Sequence, residues 1–350
     1  MRFVMLSVPL VLAVGCPQPE DSSSTSGETG QDTASGGGQE DNWRASGAGA
    51  AYFADGVEDN SLFTLNLTRA LPPREGEHYY GFVSSPTSGL VPVGEITVVG
   101  EDVNFTADIG ENAVAEGFNH FEAWQSDGDG STPDGDPVWS GDVDSTVFSV
   151  LQRLLIANPD TPSGEGSLRA LETQLEFLRD EATAAATGGL DITELNLVGE
   201  KIGNGLEDPT VDANNDGDDD VYDNNYAVEA DDVKGDGGYV ELILADYNDA
   251  AAAVDPRDPI RSYIEQAIDG VQLCDYQTSH FAVASARGAG STSNDSIAVS
   301  NLESVAEDMQ KYLDGFDADG NGTEEDDEIG VEDSIILTSQ MASMTVDVAK

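Results

Sequence analysis

The chain has 350 residues, of which 68 are Asp or Glu and only 14 are Lys or Arg, a formal net charge of −54. Phosphate binding relies on Lys and Arg, so this balance argues against nucleic acid as a partner, and an anionic membrane surface would repel the chain. The acidity fits two compatible origins: a surface adapted to a salty habitat, where salt screens repulsion, and sites for divalent cations.

The amino terminus reads Met1-Arg2, then an apolar run from Phe3 to Val14 broken only by Ser7 and Pro9. A bilayer span needs about 20 apolar residues, so this run is too short to cross one and fits a signal peptide instead. It ends Leu12-Ala13-Val14-Gly15-Cys16, which resembles the lipobox of bacterial lipoproteins, with Ala13 where Leu is usual. The resemblance implies that residues 1–15 are removed and that Cys16 carries lipid. A lipid-anchored, extracytoplasmic place in the cell envelope follows, with membrane contact through Cys16. Residues 17–45 are mostly Ser, Thr, Gly, Gln, Asp and Glu with almost nothing apolar before Trp43, and with Cys16 they make up segment 16–45. Such a segment cannot bury enough surface to offset its ordering entropy, and it reads as a tether with a typical end-to-end distance of roughly 30 Å. With Cys16 lipidated, Cys274 has no partner for an internal disulfide. It continues the helical stripe Ile260, Ile264, Ala267, Val271 and reads as a buried thiol.

From 46 to 143 the chain has short runs rich in Val, Phe, Tyr and Thr between Gly, Pro and Asp. Leu62 to Thr68, His78 to Val83, Val91 to Val99, Val103 to Ala107 and Phe118 to Trp124 read as strands, and their spacing predicts a β-sandwich. The segment Leu71-Pro72-Pro73-Arg74-Glu75-Gly76-Glu77-His78-Tyr79-Tyr80-Gly81-Phe82 resembles the extracytoplasmic domain of anti-sigma-K factors. Val93-Gly94, Phe121 to Trp124, Gly130 to Pro133 and Pro137 to Gly141 fit later positions. The similarity covers about a quarter of the chain. It implies the sandwich and an envelope location. It does not imply sigma-factor inhibition, because the sigma-binding domain and membrane helix of that family have no counterpart here.

From 144 to 350 the period turns helical, and an α-helical, bundle-like domain is expected. Leu168, Leu171, Leu175, Leu178 and Ala182 form one stripe; Leu302, Val305, Met309, Tyr312, Leu313 and Phe316 form another. Further helices are expected near 145–157, 192–205, 238–253, 259–285 and 331–347. Asp191 with Glu194, and Ser300 with Glu303, fit capping boxes. The expected architecture is thus multi-domain, β then α, with calcium loops in the second part.

Two acidic loops stand out. Residues 317–328 resemble an EF-hand calcium loop. Asp317, Asp319 and Asn321 fill the first three ligand positions, Thr323 the backbone carbonyl, Glu325 the ninth position and Glu328 the bidentate twelfth, with Gly322 at the sharp turn. Glu324 stands where such loops carry the apolar residue that packs on a partner loop. Residues 212–223 resemble a dockerin-type loop, with Asp212, Asn214, Asp216, Asp218 through its carbonyl, Asp220 and Asp223 as ligands and Gly217 at the turn. Ca²⁺ is the expected ion. A third acidic stretch, Asp127 to Asp136, reads as a turn.

Catalytic signals are weak. His78, His120 and His280 are far apart in sequence, and no phosphate-cradling Gly-Lys loop or Gly-x-Ser-x-Gly elbow is present. The expectation is a non-catalytic, membrane-anchored calcium-binding protein, with a hydrolase carrying structural calcium (such as a glycosidase) or a purely structural acidic lipoprotein as rivals. No protein or glycan partner can be named. Replacing Cys16 by Ser should abolish incorporation of labelled fatty acid and leave unprocessed or released protein. Equal labelling of parent and variant would exclude Cys16 as the anchor.

Overall fold

The computed structural model describes residues 46–53, 61–110, 112–134, 137–207, 211–218, 228, 238–274, 280–315 and 329–349. All belong to one compact unit, Arg44–Lys350. An antiparallel β-sheet comes first and a helical region follows. The strands are β1 (Ala48–Phe53), β2 (Leu62–Thr68), β3 (His78–Ser85), β4 (Gly89–Ile96), β5 (Asp102–Asp108), β6 (His120–Ser126), β7 (Pro137–Asp142) and, at the carboxyl end, β8 (Ser343–Val348).

The expected sandwich of two separate sheets is instead one sheet of order β4-β3-β6-β7-β8-β1-β2-β5. Two halves do face each other: Phe63 of β2 stacks on Phe121 of β6 with ring centroids 5.0 Å apart, and Phe53 lies 5.4 Å from Phe63. The halves are joined because β8 pairs with both. It aligns Gly49 with Val346 and Ala51 with Met344 on one side, and Trp139 with Val348 on the other. Alternation then places Met344 and Val346 inside with Ala51, Leu65, Leu67, Phe121 and Trp139, all almost fully buried. The edges β4 and β5 curl toward one another. A side chain begun at Gly94 of β4 would lie 3.6 Å from the Phe105 ring of β5, so the sheet is nearly closed.

The two ends of the sheet differ. At one end the chain enters at Ser46, whose Oγ donates to the Arg69 carbonyl at 2.6 Å, while Trp139 Nε1 donates to the Ser46 carbonyl at 3.0 Å. Ala70 N–H meets Glu101 O at 2.8 Å, Tyr79 Oη donates to Leu71 O at 3.0 Å and Ala349 N–H meets Val138 O at 3.1 Å, all at this same end. At the other end the chain passes to and from the helices. The carboxylate of Asp144 accepts from Thr146 and Val147 N–H and starts α2 (Ser145–Leu155). A short α1 (Ala113–Glu116) precedes β6, and Gln152 of α2 donates to its Val114 carbonyl at 3.2 Å.

The helical region continues with α3 (Ser167–Thr187), α4 (Ile192–Leu206), α5 (Tyr239–Ala253), α6 (Pro259–Cys274), α7 (His280–Ser291), α8 (Asp295–Asp314) and α9 (Val331–Gln340). The stripe Leu168 to Ala182 on α3 is fully buried and packs along α8, whose Leu302, Val305, Met309, Tyr312 and Leu313 are buried too. Helices α4 and α7 approach so closely that a side chain at Gly199 would meet Gly290 N at 2.6 Å. The capping box at Asp191 and Glu194 is formed. The one expected at Ser300 is not: α8 starts a turn and a half earlier, where Asn294 caps Ser296 and Ile297. Likewise 331–347 is not one helix. It ends at Gln340, and the alternation of Met344, Val346 and Val348 forms β8. Ile260, Ile264, Ala267 and Val271 of α6 are buried as expected; the side chain of Cys274 lies outside the described residues. Among the described residues no helix is long and apolar enough to cross a membrane.

A fragment of residues 46–143 lacks β8 and leaves one edge each of β1 and β7 unpaired. It should show no cooperative unfolding, whereas the intact chain should lose sheet and helix together. Met344→Ala in the full chain should cost about 2–5 kcal/mol by urea denaturation, the usual range for truncating a buried Met. A fragment that unfolds cooperatively with a strand-rich spectrum would contradict the closing role of β8.

Candidate functional site

The described half of the 212–223 loop has a defined conformation. Asp212 accepts two backbone N–H groups, Asp216 at Oδ1 (3.1 Å) and Gly217 at Oδ2 (3.1 Å). Asn214 Oδ1 accepts from Asp216 N–H at 2.9 Å, and Asp216 Oδ1 from Asp218 N–H at 3.0 Å. The chain can wind round these carboxylates because Asn215 (φ 60°) and Gly217 (φ 100°) take the left-handed region, which Asn and Gly tolerate best. A carboxylate oxygen has more than one lone pair, so these amide contacts leave acceptor capacity for a cation.

The loop stem is fixed to the helices. Glu200 of α4 is fully buried, and its Oε2 accepts from Asn214 N–H at 2.9 Å. Asn204, one turn on, donates to the Val211 carbonyl at 3.1 Å. Ala213 lies against α7, 3.2 Å from where a side chain on Gly290 would begin. Asp212, Asn214, Asp216 and Asp218 are therefore brought together. Asp220 and Asp223 lie outside the described residues, as do Asp317, Asp319, Asn321, Thr323, Glu325, Glu328 and Cys16. Among the described residues there is no group of three or more His, Cys, Asp or Glu side chains placed to hold a metal ion.

The flanks of 317–328 are described. Helices α8 and α9 stand on either side, and a β-bridge joins Gly315 to Ile329. Carboxylates gather there. Burial raises the Glu332 carboxyl above the ordinary range, and Asp314, Glu172, Asp333 and Glu176 push it the same way. Asp333 is raised by burial and by Asp314. In the third acidic stretch, Asp129 accepts from Ser131 N–H and Ser126 from Gly128 N–H, which is local turn bonding. The Arg153–Asp246 pair (Nε to Oδ1 2.7 Å) ties α2 to α5. Its place between two packed helices makes it a structural link.

A histidine network was not foreseen. His120 Nδ1 lies 2.7 Å from Asp142 Oδ1 across the β6–β7 pair, and its Nε2 lies 3.1 Å from Glu122 Oε1. Glu122 in turn accepts from Trp124 Nε1 at 3.0 Å. His120, Glu122 and Trp124 alternate along β6, so strand period two was the available signal; the cross-strand register that adds Asp142 was not readable. His78 pairs with Glu95 at 2.6 Å in a more exposed place. Each imidazole thus faces carboxylates of its own or a neighbouring strand.

No family model, curated protein or solved structure matches this chain.

Burial alone would lower the His120 pKa, but hydrogen bonds and charge from Glu122 and Asp142 outweigh it, and the imidazole titrates above its ordinary 6.5. A raised folded-state pKa gives stability that is complete below the unfolded value and is lost as pH rises through the folded one. His120→Gln should therefore lower the thermal midpoint in mild acid by about 1–2 °C, the scale of a partly exposed ion pair. The difference should vanish in mild alkali. An equal gap between the two proteins at both pH values would contradict the network.

Proposed function

We propose that this protein is a lipid-anchored envelope protein whose helical region binds Ca²⁺, and that its role is binding or structural rather than catalytic. The carrying observation is the 212–218 loop, in which Asp212, Asn214 and Asp216 converge on a backbone wound through left-handed Asn215 and Gly217. An oxygen-rich turn of this kind suits a hard cation that takes six to eight oxygen ligands. The resemblance of residues 317–328 to an EF-hand loop supports a second site between α8 and α9. The leader and the tether support anchoring through Cys16. The likeness to anti-sigma-K extracytoplasmic domains supports the envelope location of the sheet and no more.

The test is thermal unfolding of residues 17–350 in calcium, magnesium or chelator at matched high ionic strength. Calcium should raise the midpoint specifically, with affinity on the order of 10⁻⁴–10⁻³ M, as in many extracellular modules. At a hundred times the dissociation constant the stabilisation should be about 2.7 kcal/mol per site. Asp212→Asn combined with Asp216→Asn should remove one calcium increment and Glu328→Gln the other, each judged against the same variant in chelator. Equal midpoints in calcium, magnesium and chelator would end this reading.

A further inference from the structure

We propose that the free edge of β5 takes up an extended, basic peptide segment of another protein as an added strand. The proposal stands apart from the calcium and anchor readings. Strand β5 lies at one end of the sheet order and pairs with β2 from Asp102↔Thr68 to Asp108↔Leu62 with no shift of register. In an antiparallel pair, alternate residues exchange both hydrogen bonds, and those between turn their N–H and C=O to the other side. Ile109 N–H donates to Ser61 O at 2.8 Å, so Val103, Phe105 and Ala107 are the residues bonded to β2. Asp102, Asn104, Thr106 and Asp108 face the free edge. Asp102 fits this parity, since its N–H (3.2 Å) and C=O (2.9 Å) are bonded to Val99 on that side. The backbones of Asn104, Thr106 and Asp108 have no such partner among the described residues, and all three residues are exposed.

Strand β4 comes near this edge without closing it. The two strands are the ends of the sheet order and share no ladder, and a side chain begun at Gly94 would meet the Phe105 ring rather than backbone. Along the gap the inward Val91, Val93, Phe105 and Ala107 are only half-buried, whereas Leu65 and Val83 one strand further in are fully buried. The two edges are built differently. Strand β4 carries Pro92, a register shift beside Phe82 and left-handed Gly94 (φ 128°), all devices that blunt an edge against pairing. Strand β5 has none of these over its seven residues. Charge selects the occupant. Asp102 and Asp108 stand at the two ends of β5, and Glu101 precedes it. Toward the Asp102 end, Asp127, Asp129, Asp134 and Asp347 add to them and outnumber Arg69 and Arg74. A second copy of a chain with net charge −54 would set its own acids against these, which opposes self-pairing. A foreign strand with apolar residues at alternate positions would cover Phe105 and Ala107, and Lys or Arg at its two ends would meet Asp102 and Asp108. Main-chain bonds then supply affinity, and the alternate side chains and end charges supply specificity.

The test adds the synthetic peptide Lys-Val-Thr-Val-Thr-Val-Lys to residues 17–350 and follows amide exchange residue by residue, at one fixed ionic strength. At saturating peptide the amides of Asn104 and Thr106 should exchange about tenfold more slowly, while those of Phe105 and Ala107, already bonded to β2, change little. The same peptide with its backbone amides N-methylated should give no protection. A version with Glu in place of both Lys should bind about tenfold more weakly at low salt, and added salt should narrow that gap. Asp102→Asn with Asp108→Asn should narrow it too; both positions are exposed, and Asn at 108 keeps the acceptor that Gly110 N–H uses. Protection by the N-methylated peptide, equal affinity for the Lys-ended and Glu-ended peptides, or no protection at Asn104 and Thr106 would overturn the proposal. So would a sedimenting dimer in which those two amides are protected without peptide, since a second copy would then hold the edge.

Discussion

Strand β8 is hydrogen-bonded along both of its edges, and most of the architecture depends on that one insertion. On one side it lines up with β1 from Gly49 to Tyr52, and on the other with β7 at Trp139 and Ser140. Without it, β4-β3-β6-β7 and β1-β2-β5 would be two pieces with exposed edges, a state that invites association with other chains. Met344 and Val346 also fill the interior between those pieces. Because α9 runs directly into β8, and Phe53 N–H bonds to Ala342 O at the join, the helical region and the sheet share a continuous element. The sheet cannot be regarded as a module that merely precedes the helices.

A net charge of −54 leaves few cations to distribute, and the fold places several of them where they link elements. Arg153 joins α2 to α5 through Asp246, and Arg287 joins α7 to α4 through Glu207 at 2.9 Å. His120 ties the start of β6 to the end of β7, just before the chain turns into α2. The loops carry the opposite arrangement. Asp212 and Asp216 accept from backbone amides, and the carboxyls near the α8–α9 connection crowd one another. Among the described residues, cations of the chain link helices and strands.

The sequence was most legible where one period persists over several turns or residues. The Leu168 to Ala182 stripe became the α3 core, and the strands from Leu62, His78, Val103 and Phe118 lie close to where alternation put them. Strand β1 carried no such signal. Its Ala48-Gly49-Ala50-Ala51 start is small because β2 is so near: a side chain at Gly49 would sit 1.9 Å from Asn66 O. The α9–β8 boundary was missed because the helix stops at Met341 without Gly or Pro, so alternation in Ser343 to Val348 was absorbed into a helical reading. The Ser300 signal failed because Asn294 offered an earlier cap and nothing in the following turn opposed helix. Of the candidate loop, the alternation of Asp212, Asn214 and Asp216 before Gly217 was readable. The buried Glu200 that grips its stem was not, because contact between α4 and residue 214 is a tertiary fact.

The pairing of β1 with β8 joins nearly the first described residues to nearly the last. Synthesis delivers these two strands at opposite times. While the chain grows, β1 and β7 exist for the whole interval needed to make the helical region, and the strand that separates them has not yet left the ribosome. Contacts so distant in sequence are slow to form even in a finished chain. The order of emergence therefore fixes an order of assembly: helices can form early from local contacts, and sheet closure comes last. Any machinery that handles this chain from its amino end meets an open sheet until β8 has been made.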